Sequence, residues 1–364
     1  MKLRLRFLSP LLGLLGSVSA APATDDGKVL ALMEKAADWQ LAHPAKWQAH
    51  EWHNGAFYAG MMALAGAAES PRFRAAMVQV GEGQHWQLGP RPYHADDHCI
   101  GQMYAELYGG DRDAKKIAPM RERFDYILAH RPVNSLDFDR TRNPQRQERW
   151  SWCDALFMSP PAFARLAQAT GDQRYLDFAV AEWWATSDFL YYRAEHLYFR
   201  DSSIFDLREP NGRKIFWSRG NGWVMGGLVR MLQVLPAGHA TRPRFEQQFR
   251  EMADKIVTLQ QPDGFWRASL LDPDHYPMQE TSGTGFYCYA LAYGLNAGLL
   301  DRARFEAPVR HAWAALVSCV KGDGKLTHVQ PVGFTPVTFD PESTEPFGVG
   351  AFLLAGSEVR RLAP

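Results

Sequence analysis

The chain has 364 residues, 46% of them hydrophobic and 22% charged. That supplies a large packed core and excludes a disordered chain. Lys+Arg and Asp+Glu each number 40, so the formal charge is zero, and no basic excess points to nucleic acid as a partner.

The N-terminus carries Lys2, Arg4 and Arg6, an apolar stretch over 7–16, and then Ser-Val-Ser-Ala-Ala-Pro-Ala. A basic start, a short apolar run and a small-residue cleavage site make residues 1–23 a predicted secretory signal, cut after Ala20 or Ala23. The apolar run is too short for a stable membrane anchor. The expected location is therefore the periplasm or outside the cell. Residues 24–364 are expected to form one domain.

From there the chain reads as helices. Apolar residues recur at spacings of three and four in about a dozen segments. These begin near Asp26, Gly55, Pro71, Asp97, Ala114, Trp150, Asp172, Gly220, Arg244, Thr281, Asp301 and Thr344. Beneath this pattern lies an internal repeat. A polar turn with Arg and an aromatic opens a helix, and a short extended piece closes it. Thr170–Tyr175 leads to His196–Phe199; Arg242–Phe245 leads to Pro262–Trp266; Asp301–Phe305 leads to Asp323–Leu326. The Asp-Gly turns in the last two are helix stops. The expected architecture is all-α: an (α/α)6 barrel of six helical hairpins with short extended pieces between pairs. An open solenoid is the alternative.

Cys99, Cys153, Cys288 and Cys319 are widely spaced in apolar stretches. Buried thiols are expected, although the compartment would permit disulfides.

Four segments carry candidate chemistry. Arg91–Gln102 packs His94, Asp96, Asp97 and His98 ahead of a helix. One Asp would cap that helix; no metal-ligand spacing is present. Glu148–Met158 sets Asp154 alone among aromatic and apolar residues, including Trp152. A desolvated carboxylate holds its proton to higher pH, which suits an acid catalyst; a structural Asp bonded to backbone is the alternative. Lys214–Trp223 places Arg219 between Trp217 and Trp223, beside two glycines. That Arg could clamp a carboxylate while a ring stacks on Trp223, or form a buried ion pair. Gln279–Gly285 opens a helix with Thr281 and Ser282, where an anion could bind or the residues could simply cap. The chain also holds 12 Trp, 13 Tyr and 21 Phe, enough to furnish a sugar-stacking cleft as well as a core.

The segments Trp-Ser-Trp-Cys-Asp-Ala-Leu-Phe-Met-Ser-Pro-Pro, Trp-Ser-Arg-Gly-Asn-Gly-Trp and Glu-Thr-Ser-Gly-Thr-Gly resemble those of glycoside hydrolase family 105, which is related to family 88. The likeness runs from about Asp26 to the C-terminus. It implies the (α/α)6 fold and removal of a Δ4,5-unsaturated uronic acid from the non-reducing end of lyase-generated oligosaccharides. In that reaction an aspartic acid protonates C4, water adds at C5, and the hemiketal opens. This differs from glycosidases whose carboxylates act at the anomeric carbon. The resemblance makes Asp154 the general acid/base and Asp97 the second aspartate, with Asp96 as fallback. Arg219 and Trp223 would line the uronate subsite, with Trp217, His94, Trp152, Thr281 and Ser282 also expected to bind substrate. No metal or organic cofactor is implied, and the expected partner is an unsaturated oligosaccharide.

The chain departs from the family in two places. Arg140–Glu148 lacks a Phe-Trp-His stretch, and Tyr198-Phe-Arg-Asp201 stands where members have a Tyr-His-Gly-Trp type segment. Two other readings remain at this stage. One is an ordinary (α/α)6 glycosidase with a second carboxylate such as Asp201 or Glu280. The other is a non-catalytic carbohydrate-binding toroid.

Overall fold

The computed structural model describes residues 26–138 and 148–362. The predicted signal, 1–23, and the Arg-rich stretch 140–147 lie outside the described residues. Fourteen α-helices are present among the described residues: α1 Asp26–Ala42, α2 Trp52–Ala67, α3 Arg72–Gly83, α4 Ala95–His98, α5 Gly101–Asp111, α6 Ala118–Ala129, α7 Ala155–Met158, α8 Pro160–Thr170, α9 Gln173–Leu190, α10 Ser218–Leu232, α11 Arg242–Val257, α12 Thr281–Asn296, α13 Arg302–Ser318 and α14 Pro346–Val359.

Two of the fourteen are short leading pieces. Helix α4 runs into α5 through an i→i+3 turn, with Gln102 N–H donating to Cys99 O. Helix α7 is cut from α8 because Pro160 and Pro161 occupy the first turn of α8; a proline has no N–H to continue the ladder. Counted as broken rods, α4–α5 and α7–α8 bring the total to twelve, as the sequence pattern predicted.

The rods form two concentric layers. Helices α2, α5, α8, α10, α12 and α14 touch in that order, and α14 touches α2 again. This closure makes an (α/α)6 barrel and replaces the solenoid alternative. The closing seam relies on missing side chains. A Cβ on Gly350 would lie 2.4 Å from Ala56 O, and one on Gly60 would lie 2.6 Å from Gly350 O. Small residues there let the first and last inner helices pack almost backbone to backbone.

Burial separates the layers. Every residue of α10 is buried, and in α14 only Ser357 is not; these helices have neighbours on all sides. Outer α11 buries only Phe245, Gln248, Phe249, Met252, Ala253 and Ile256. That is a single stripe at helical spacing, pressed on α10. The repeat is also visible in the backbone. At Asp263-Gly264 and at Asp323-Gly324 the turn closes with the same pair of bonds, and both glycines have positive φ. The only named strands among the described residues are Tyr191–Tyr192 and Leu197–Tyr198, paired antiparallel.

The inner helices all start at one end. Trp52, Asp96 and Asp154, from the starts of α2, α4 and α7, line one cavity together with Val332, Gly333 and Phe334. The loop that carries those last three is held by the starts of the other inner helices. Arg219 of α10 donates to Gln330 O, and Glu280, which caps α12, accepts from Gln330 N. Phe347 of α14 packs on Arg219. Six helix N-termini therefore face this end, and their partial positive charges favour an anionic ligand. No helix among the described residues is long and apolar enough to cross a membrane.

Candidate active site

The cavity has a volume of about 280 Å³ and also includes Trp152, Met158 and Arg200. Trp152 pairs with Asp201, and Cys153 N–H donates to Arg200 O. The extended segment before α7 is thus stitched to the segment after β2, bringing Asp154 and Arg200 into one wall. Asp154 is the N-cap of α7 by position, but its side chain caps nothing. It is 9% exposed, and the Cys153 thiol donates to its Oδ1 at 3.2 Å. Burial raises its pKa. Arg200, the Cys153 hydrogen bond and Arg219 pull the other way, and Asp96 adds to the rise. This is the desolvated carboxylate expected from the sequence, free of the backbone bonding that the alternative required.

The neighbouring aspartates are exchanged relative to expectation. Asp97 does not line the cavity. Its carboxylate accepts from the Arg91 backbone N–H at 2.6 Å and from Arg91 Nε and Nη2. Burial would raise its pKa, but those bonds outweigh it and hold the group below the usual carboxylate range. Asp96 lines the cavity instead. Burial pushes its pKa up to about 7, against the pull of Arg91. The protonated form of a carboxyl is thereby stabilised on two walls of one cavity. Proton donation at near-neutral pH is the chemistry such a pair allows.

The other expected residues divide. Trp152 lines the cavity, and His94 packs against its ring at 4.8 Å between centroids. Burial takes the His94 pKa down to about 3, so its imidazole is neutral. Arg219 is wholly buried and does not line the cavity. It donates from Nη1 to Gln330 O at 2.5 Å and from Nη2 to Pro331 O at 2.9 Å, sandwiched between Trp217 and Phe347. The expected carboxylate clamp is engaged in holding the 330–334 loop. Trp217 donates to Gln330 Oε1 and supports the same loop. Trp223 is wholly buried against Phe157 and Phe286.

At α12 the predicted anion site is already filled. Glu280 Oε1 and Oε2 accept from the N–H groups of Ser282 and Gly283, and Thr281 Oγ1 donates to Thr327 O. The carboxylates required by an ordinary glycosidase are committed too. Glu280 is this cap, and buried Asp201 accepts from Arg200 Nη1 at 2.6 Å.

Sequence reading missed Trp52, Met158 and the 332–334 loop. The loop comes from far along the chain, and nothing local marks it. For Arg200 a signal existed in the departure at Tyr198–Asp201. All four cysteines are buried and free, as expected.

The model described as Glycosyl Hydrolase Family 88 matches residues 23–363. The chain belongs to glycosyl hydrolase family 88. Two relatives named unsaturated 3S-rhamnoglycuronyl hydrolase come from Alteromonas sp. (strain LOR) and Formosa agariphila. They are 36% and 38% identical, over 90% and 94% of this chain and 84% and 93% of their own lengths. A solved family 88 glycosyl hydrolase from Bacteroides vulgatus is 29% identical with a TM-score of 0.84, covering 93% of this chain and 99% of that one. A second structure, titled a polysaccharide lyase, is 31% identical with a TM-score of 0.83 over 93% and 98%. The family 88 chain is a glycoside hydrolase of the unsaturated uronyl type: it removes an unsaturated uronic acid from oligosaccharides.

Proposed function

We propose that Asp154 is the acid/base of this hydrolase, that Asp96 is its partner, and that the uronate is released from a rhamnose. Asp154 donates its proton to C4 of the C4=C5 bond, leaving C5 as an oxocarbenium. Water adds at C5 while its proton returns to the Asp154 carboxylate. The C5 hemiketal opens and the linked sugar leaves. Asp96 orients the water and, when charged, keeps the Asp154 proton in place. Proton transfer to carbon is slow, so a positioned acid that remains protonated near neutral pH is the central requirement. The observation carrying this reading is Asp154 in the cavity beside Asp96, desolvated and without a guanidinium hydrogen bond. The relatives' names supply the linked sugar, and we read their 3S as a sulfate at O3 of rhamnose. Residues 1–23 are a signal that sends the enzyme to the periplasm or outside the cell, where polysaccharide fragments are met.

The test is the ultraviolet absorbance of the conjugated enol ether in an unsaturated uronyl-rhamnose disaccharide. The wild-type protein removes it and D154N does not. Unchanged absorbance with cleavage of saturated glycosides would overturn the reading. So would an absorbance that rises on intact polysaccharide, because a lyase creates this double bond.

A further inference from the structure

We infer that Arg200 is the residue that holds the substrate's uronate carboxylate. The inference rests on the function proposed above. A guanidinium has two bidentate edges. Nη1 of Arg200 is pinned by Asp201 at 2.6 Å, and Asp201 is itself fixed by Ser203 N–H at 2.9 Å. Nε of Arg200 is buried and has no hydrogen-bond partner, and Nη2 has none among the described residues. The Nε–Nη2 edge is therefore left without a hydrogen-bond partner on a head group whose orientation is already set. The Phe138 ring, 4.7 Å from the guanidinium, covers one face. A buried donor left without a partner is costly, and an incoming oxyanion with two oxygens would remove that cost.

The position of Arg200 selects which oxyanion. It shares the cavity with Asp96 and Asp154. The uronate carboxylate is bonded to C5, next to the C4 that Asp154 protonates. An Arg beside the acid therefore reaches the carboxylate before it reaches a group on the linked sugar. Arg219, another cation near the site, has Nη1 and Nη2 committed to backbone carbonyls, and Arg91 is committed to Asp97.

Binding there also acts on the acid. The groups that act on Asp154 are Arg200, Cys153, Arg219 and Asp96. With the site empty, Arg200 works against the burial that holds the Asp154 proton. A carboxylate seated on Arg200 neutralises that pull and adds a negative charge nearby. The substrate thus keeps its own acid protonated.

The experiment compares an unsaturated uronyl disaccharide with its C6 methyl ester, each with and without sulfate on the linked sugar. The enzymes are wild type, R200Q, R200K and R219K, each checked for folding by thermal melt. Wild type is expected to favour the free acid over the ester by about 10- to 100-fold in kcat/KM, the range for hydrogen bonds to a charged group. In R200Q that preference collapses, because the free acid loses more kcat/KM than the ester does. R200K keeps the charge against Asp201 and part of the preference. Preservation of the acid-over-ester ratio in R200Q overturns the inference, as does its loss in R219K alone. A penalty in R200Q that follows the sulfate also overturns it and assigns Arg200 to the linked sugar. Failure of wild type on every unsaturated substrate would remove the proposed function itself, and this inference with it.

Discussion

The two ends of the inner ring hold similar residues in opposite states. At the C-terminal end of the inner helices, Glu106 accepts from Arg165 Nε at 2.6 Å and from Arg230 Nη2 at 2.5 Å. Arg165 also donates to Arg230 O and Gln233 Oε1, and Arg230 donates to Gln102. Burial would raise the Glu106 pKa, but the two guanidiniums outweigh it and lower it. The cations also suit the negative ends of the helices. At the N-terminal end, half-buried Asp96 and buried Asp154 have raised pKa values, and Arg200 Nε, both ring nitrogens of His53 and His94 Nδ1 lack hydrogen-bond partners. The cavities at the C-terminal end are the larger, about 310 Å³ and 340 Å³ against 280 Å³. Size therefore does not locate the chemistry; unmet hydrogen-bonding demand does.

That contrast can be broken by exchanging charge at each end. D154N should lower kcat/KM by about 10²- to 10⁴-fold, the contribution of a positioned acid, while the melting temperature holds or rises. E106Q should do the reverse. Two buried guanidiniums would lose their carboxylate, costing about 3–5 kcal/mol in denaturant unfolding, with kcat nearly unchanged in the folded fraction. If E106Q lowered kcat as D154N does, the division between the ends would fail.

The pH dependence of stability sharpens the comparison. Burial pushes the Asp96 pKa up to about 7 from the ordinary 3.8 of an aspartate in water. The folded state binds more protons between those values, so stability from this group is full below about 3.8 and is lost as pH rises through 7. Glu106 is depressed, so its stabilisation is present above the ordinary glutamate pKa of 4.5 and is lost as pH falls below that. D96N should raise the melting temperature at pH 7 but not at pH 4, and E106Q should flatten the acid-side loss. A D96N melting curve that gains nothing at pH 7 would break the assignment of Asp96 as a desolvated carboxyl with a raised pKa.

The smallest expected effect is that of C153A. Loss of the thiol donor to Asp154 Oδ1 removes a bond that favours the charged carboxylate. The alkaline limb of the kcat profile should move up by less than about one unit, with C153S restoring it. A limb that stays in place would show the thiol to be packing alone.

How far the site was legible follows from which contacts are local. Asp154 stood out because its surroundings are its own neighbours in sequence, Trp150, Trp152 and Phe157, all buried. The helices were legible because periodicity is a local property, down to the stripe on α11. Asp96 and Asp97 were not separable in this way. They are consecutive on a four-residue helix, and both are acidic in its first turn. What separates them is the preceding loop: Arg91 clasps Asp97, and Gly89 leaves the space its carboxylate occupies, since a Cβ there would lie 2.4 Å from Asp97 Cγ.

The amino-acid sequence by itself determined the twelve rods, their order, the desolvated Asp154 and the buried thiols, because each depends on spacing and composition within a short stretch. The tertiary structure alone decided that the ring closes, that Asp96 rather than Asp97 enters the cavity, and that Arg219 holds a loop 111 residues away while Arg200 keeps an edge without a hydrogen-bond partner. These outcomes depend on which partner reaches a polar group first. In a buried site that choice is made by neighbours brought together through folding.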